Sequence, residues 1–241
     1  MLASNRARLI SLAIAGGLGL AVIAVGAVYF LLFPTSSPKP LAITSTPSSS
    51  SSATTSATSS DPAGSWTVAS GSQAGYRVRE TLASVGAPSD AVGRTSSVHG
   101  TVTIIDTGTT SAVSAASLTV DVNTLTSDRS MRDQRIHSMG LQSDRYPQAT
   151  FVLTSPIPLP ANAGSGQIFN VSAVGQLTIH GVTKTVTIPM QVKVAGSQAQ
   201  IAGSITFPFS DYGMTPPSIG GFVSVQNNAT MEFALNLLKA I

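Results

Sequence analysis

No cysteine occurs in the 241 residues. Disulfides, Cys-ligated zinc or iron–sulfur sites and a thiol nucleophile are therefore excluded. Charge is also scarce. The 13 Lys+Arg and 10 Asp+Glu make up 10% of the chain, where a soluble domain usually carries roughly 25%. Aromatic residues are only 5%, yet 42% of residues are hydrophobic, and mean hydropathy is +0.28. Such a chain is too apolar to be wholly disordered. The net charge of +3 is not gathered into a basic stripe, so no nucleic-acid partner is expected.

Catalytic motifs are equally sparse. His99, His137 and His180 are the only histidines. None has a second His at metal spacing, and H-E-x-x-H is absent. Asp133 and His137, four residues apart, are the one pair that could share a metal; a hydrogen bond is the plainer reading. There is no G-x-S-x-G elbow and no glycine-rich phosphate loop. A Ser–His–Asp site assembled from distant residues stays open. The acidic residues are scattered singly, so no carboxylate pair stands out. The expectation is a binding protein, not an enzyme, with no cofactor and no metal.

What is present falls into zones. Residues 1–8 carry Arg6 and Arg8 and precede an uncharged run over residues 9–33, LISLAIAGGLGLAVIAVGAVYFLLF. Its 25 residues exceed the roughly 20 needed to cross a bilayer. The preceding arginines predict a cytoplasmic N-terminus and an extracytoplasmic remainder, by the positive-inside rule. A cleaved signal peptide has an apolar core of about 7–15 residues. The longer run here favours a single-pass transmembrane signal anchor in the cell membrane. Residues 34–63 hold 11 Ser, 6 Thr and 5 Pro in 30 positions, the composition of a disordered linker. Ser/Thr-rich stalks of this kind can be O-glycosylated.

Residues 64–241 form the folded domain, and their apolar period is two. Val98, Gly100, Val102 and Ile104 oppose His99, Thr101 and Thr103. Leu118, Val120 and Val122 alternate with polar residues. So do Val186, Ile188, Met190, Val192 and Val194; then Ile201, Ile205, Phe207 and Phe209; then Met231, Phe233, Leu235 and Leu237. Turn signals at Asp106-Thr107-Gly108, His180-Gly181, Ala195-Gly196-Ser197 and Gly220-Gly221 separate the runs. Many one-faced strands without intervening helices predict an antiparallel barrel or sandwich. Pro189 inside its run requires an edge, a bulge or a strand end.

One stretch differs. Residues 127–141, SDRSMRDQRIHSMGL, predict a short helix capped by Ser127 or Asp128 and ended by Gly140. Asp128–Arg132 and Arg129–Asp133 are spaced for i,i+4 ion pairs. Arg129, Arg132, Arg135 and Arg145 are interleaved with Asp128, Asp133 and Asp144. Local ion pairing is the leading reading of this cluster. A rim for a phosphate or carboxylate headgroup, centred on Arg132 and Arg135, is the functional alternative.

Several segments together resemble the YceI-like family of exported, lipocalin-like β-barrels. They are the opening Gly64-Ser65-Trp66-Thr67-Val68; Arg132-Asp133 with Ser138, ahead of Tyr146-Pro147 and Phe151; Gly175-Gln176-Leu177-Thr178-Ile179-His180-Gly181-Val182-Thr183-Lys184; and Phe209-Ser210-Asp211-Tyr212-Gly213. The chain departs from the family pattern at Arg135, where many members have His. It also departs at Met139-Gly140-Leu141-Gln142, which replaces an acidic, doubly aromatic segment. The resemblance implies an all-β, antiparallel lipocalin-like barrel of about eight strands with one short helix. It implies an isoprenoid-like or other long-chain lipid as partner. An eight-stranded barrel is either filled by side chains or holds one small ligand. The inward apolar set expected to meet a lipid chain is Phe151, Leu177, Ile179, Val186, Ile188, Met190, Ile205, Phe207, Phe209 and Phe233. The alternative is a closed, ligand-free barrel whose outer surface serves an envelope or stress-related interaction. Nothing in the sequence predicts the oligomeric state.

Overall fold

The alternating runs become long strands, and the strands close on themselves. A computed structural model of the chain describes residues 37–43, 61–82, 88–216 and 223–240. The expected membrane segment, residues 9–33, lies outside these, as do residues 44–60 of the expected linker. No helix among the described residues is long and apolar enough to cross a membrane.

The elements are β1 (Gly64–Val68), β2 (Gln73–Leu82), β3 (Pro88–Thr95), β4 (Val98–Asp106), β5 (Ser111–Asp121), β6 (Thr126–Ser127), α1 (Ser130–Arg135), β7 (Gln148–Leu153), β8 (Ile157–Pro158), β9 (Ser165–Ile179), β10 (Val182–Ala195), β11 (Gln198–Pro208), β12 (Val223–Val225) and β13 (Asn228–Lys239). The antiparallel order β1-β4-β5-β7-β9-β10-β11-β13 returns to β1 through Trp66↔Lys239 and Val68↔Leu237. This is the expected closed barrel of eight strands, and closure removes the exposed edges that invite aggregation. β2 continues where β1 turns away. It takes over the N-terminal half of β13, from Thr230↔Arg77 to Ala234↔Gln73, and carries β3 as a hairpin extension.

Local chemistry sets the joints. His180 (φ 53°) and Gly181 (φ 74°) form the two-residue β9–β10 turn with both residues left-handed. That backbone twist matches the twist of paired strands. A Cβ at Gly181 would also lie 2.6 Å from the Tyr146 ring. In β5 a bulge places Thr103 opposite Ala115 but Ile104 opposite Val113. The extra residue, Ser114, flips the parity: Val113 faces inward on one side of it, and Ala116, Leu118 and Val120 on the other. Pro189 occupies a place where a ladder ends. β10–β11 pairing begins at Met190↔Gly203, one residue later, so the missing N–H costs no bond there.

The helix is shorter than expected. α1 continues into a π-helical turn over Ile136–Gly140, which ends at the expected glycine. Arg129 stands at the N-cap, without a side-chain cap bond. Ser127 instead donates its backbone N–H (2.9 Å) and its hydroxyl (2.6 Å) to Asp133 Oδ1. Asp133 thus binds the residue just before the helix, and Arg129 Nε lies 3.8 Å from Asp128. The Asp128–Arg132 pair forms as expected.

The expected linker is engaged with the domain at two places. Pro62 is buried, and its carbonyl accepts a 3.0 Å bond from Trp66 Nε1. Residues 38–43 lie against the outer wall, where Pro38 O accepts from Arg77 Nη2 at 2.7 Å.

Candidate functional site

The inward side chains of all eight barrel strands meet in one apolar cluster, which encloses a cavity of about 110 Å³. Trp66, Val102, Leu118, Phe151, Leu177, Ile188, Met190, Ile201, Met231 and Phe233 are among its lining residues. Among the described residues no charged side chain lines it, and Thr150 is the only polar one that does. Pockets for drug-sized ligands run to roughly 300–1,000 Å³, so the barrel as it stands is mostly filled. Met190 and Met231 are only partly buried, and unbranched thioethers are the side chains most able to rearrange.

Glycine shapes this wall. A Cβ on Gly175 would lie 2.4 Å from Phe151 Cζ, and one on Gly203 would lie 2.8 Å from Phe233 Cζ. Both aromatic rings therefore fill space that a side chain on the neighbouring strand would occupy.

Of the ten residues expected on the apolar face, Phe151, Leu177, Ile188, Met190 and Phe233 line the cavity. Ile179, Phe207 and Phe209 are buried in the same cluster, and Val186 and Ile205 pack against it, but none of these five lines the cavity. The expected set omitted Trp66 and the β4–β5 wall, Val98, Val102, Ile104, Leu118 and Val120. Their alternation was visible in the sequence; the bulge at Ser114, which sets the faces of β5, was not.

A polar cluster ties the helix to the β2–β3 extension. Arg132 Nη2 donates to Glu80 Oε1 at 2.7 Å, and its Nη1 contacts Asp128 and the Ser127 hydroxyl. The side chain of Arg132 is 14% exposed and that of Glu80 is 9%. Arg132 is thus already matched by two carboxylates, whereas Arg135 makes none of the described ion pairs. Burial pushes the nearby Tyr76 phenol well above its ordinary range, and its hydroxyl has no hydrogen-bond partner.

The histidines are engaged separately. His137 Nδ1 lies 2.7 Å from Ser143 Oγ, and its Nε2 lies 3.2 Å from Leu125 O. It does not pair with Asp133. His180 Nδ1 donates to Tyr212 O at 3.1 Å and stacks edge-on against Tyr146. Burial raises the Tyr212 phenol to about 12. Among the described residues no group of three His, Cys, Asp or Glu could hold a metal.

Comparison with known proteins adds the family. The model for the YceI-like domain matches residues 66–237. The chain belongs to the YceI-like domain family. A UPF0312 protein of Vibrio parahaemolyticus is 27% identical over 122 residues, 48% of this chain and 61% of that protein. The chain thus spans under two thirds of that relative. Among solved structures, a polyisoprenoid binding domain from Saccharophagus degradans, implicated in plant cell wall breakdown, superposes with a TM-score of 0.53 at 15% identity. The match covers 73% of this chain and 98% of that one. BcnA of Burkholderia cenocepacia gives 0.48 at 22% identity over 67% and 95%. At 15% identity, the likeness to the Saccharophagus degradans domain speaks for the fold alone.

Proposed function

We propose that this YceI-like barrel is a membrane-anchored, extracytoplasmic binding protein for an isoprenoid-like or other long-chain amphiphilic lipid. The observation that carries the proposal is the uncharged lining of the lumen. A hydrocarbon chain gains about 0.8 kcal/mol per CH₂ removed from water, and such a lining asks for no catalytic group. The structural neighbour that is a polyisoprenoid binding domain supports the same ligand class. The present cavity of about 110 Å³ admits only a fragment of such a chain, so binding proceeds by displacement of Met190 and Met231.

The anchor is residues 9–33, oriented by Arg6 and Arg8 with the barrel outside. Arg135, on the helical segment, is the cation left to meet a headgroup, because Arg132 is held by Glu80 and Asp128. The test is mass spectrometry of organic extracts from the purified full chain. A near-stoichiometric prenyl or acyl lipid is expected. An empty extract, together with no binding of added prenyl alcohol, would overturn the reading and favour the closed, filled barrel.

A further inference from the structure

The barrel wall is not knit equally all the way round. β10 pairs with β9 along its whole length, from Val182↔Ile179 to Ala195↔Ser165. With β11 it pairs only from Met190↔Gly203 to Ala195↔Gln198. Residues 182–189 of β10 therefore have β9 alone as a ladder partner, and residues 204–208 of β11 have β13 alone. A seam without ladder bonds runs from Met190 to the β9–β10 turn.

Side chains close this seam. Val186 and Ile205, half-buried, pack against the core from its two banks. At its far end the 3-10 turn Phe209–Tyr212 reaches from β11 to the β9–β10 turn. There Tyr212 O accepts from His180 Nδ1 at 3.1 Å, and a Cβ on Gly213 would lie 3.8 Å from Val182 Cγ2. The Tyr212 ring meets Phe207 edge-on at 4.7 Å. Two polar atoms of this plug, the Tyr212 hydroxyl and His180 Nε2, are buried without a hydrogen-bond partner among the described residues. Each costs free energy where it sits, so the plug is held more loosely than its packing alone would hold it.

The near end of the seam meets a groove of about 630 Å³ on the outer wall, where Pro189, Met190 and Gly203 are lining residues. Val171 and Met190 border both this groove and the lumen. Gly203 adds no side chain to the partition; a Cβ there would lie 3.0 Å from Met190 Cγ. Met190 is the movable part of this wall, because an unbranched thioether rearranges readily. The uncharged Asn170, Ser172, Gln191 and Ser204 also line the groove, and such side chains hydrogen-bond a polar head while its chain passes inward. The ends of the lumen are covered by buried apolar residues, Ile157 and Leu159 where β5 begins, Val122 and Leu125 where β5 ends.

From these observations we infer that a lipid chain reaches the lumen sideways, through the wall between β10 and β11, with the outer groove as its threshold. The inference rests on the lumen being the lipid site. Elsewhere in the wall, passage would break ladder hydrogen bonds. Along this seam it displaces only Met190, Val186, Ile205 and the turn behind them.

The cysteine-free chain allows a direct test on the full-length protein. Thr187→Cys and Thr206→Cys put one thiol on each bank, at exposed positions. A homobifunctional methanethiosulfonate joins them, with the shortest spacer for which mass spectrometry shows the bridge. Loading is followed through quenching of Trp66, the one tryptophan, by dibromostearate. The bridge should slow quenching about tenfold or more, because any other way through the wall breaks ladder hydrogen bonds. The final amplitude should be unchanged, and a thiol reductant should restore the rate. The same kind of bridge at Gln176→Cys and Thr185→Cys, a paired position of β9 and β10, should leave the rate as it was. As a second variant, His180→Gly keeps the left-handed turn but frees Tyr212 O, and should load about threefold faster, the worth of one hydrogen bond. An unchanged rate in His180→Gly would overturn the turn's part as plug. Saturable quenching at one rate with and without the seam bridge would overturn the portal and leave the lumen as the lipid site. Equal slowing by both bridges would also overturn the portal. No quenching in any form would overturn lipid binding in the lumen, and the portal with it.

Discussion

Glu232 and Phe233 are neighbours on β13, and water reaches them about equally little, at 2% and 8% exposure. Phe233 is buried by hydrocarbon inside the lumen. Glu232 is buried on the outer face by two arginines, which also bond the carbonyls of Pro38 and Lys39. The contrast shows that a barrel with so little charge concentrates part of it. The interior tolerates rearrangement because each apolar contact is small and non-directional. The outer cluster does not, because removing one partner leaves the others unpaired.

Deleting the centre of the outer cluster should have the largest effect. Glu232→Ala leaves Arg77 and Arg94 without their shared carboxylate, and stability should fall by about 3 kcal/mol, read by urea denaturation. A loss under about 0.5 kcal/mol would mean that the ion pairs are surface-like. On the inner side, Leu177→Ala removes a side chain at 2% exposure and should cost about 2–3 kcal/mol. Because the lumen already holds free volume, the expected cost lies at the low end of that mutation class. Gly175→Ala should cost about 1–3 kcal/mol by overpacking against Phe151 and the Val152 carbonyl, and a neutral result would show that both the ring and the strand give way.

Acid should act on the outer cluster before the lumen. The hydrogen bond from Arg79, then that from Arg77, holds the Asp90 carboxyl below its ordinary range. A depressed folded pKa means that the stabilisation is fully present above the unfolded value of about 3.9 and is lost as pH falls through the folded value. Melting temperatures between pH 5 and pH 2 should therefore fall less in Asp90→Asn than in the unaltered chain. Parallel curves would show that Asp90 contributes nothing. The smallest effect is expected at Met139→Ser. That side chain is 75% exposed, and the change should stay within about 0.5 kcal/mol.

Much of the inner side was legible because alternation maps directly onto faces. The runs around Ile188 and Phe233 lead straight to the lumen, and His180-Gly181 leads to its hairpin. Two things were hidden. The bulge at Ser114 leaves no compositional mark, so the inward face of β5 changes parity unannounced. The contact of residues 38–43 with the outer wall was hidden by its surroundings: six residues between Ser/Thr-rich stretches have no periodicity, and Glu232 reads as an ordinary outward charge until Arg77 and Arg94 are brought across from β2 and β3. Non-local pairing of this kind is set by topology, which no local pattern encodes.

The lipid-binding claim can be measured at one atom group. Trp66 is the only tryptophan in the chain, is 1% exposed and lines the cavity. Titration with a long-chain lipid brominated along its chain, a contact quencher of indole, should quench Trp66 saturably. The quenching should be lost in Ala173→Phe, which fills the lumen at a lining position. Quenching that stays at the level of indole outside the barrel, or that is identical in Ala173→Phe with the fold intact, would contradict a lipid held in this lumen.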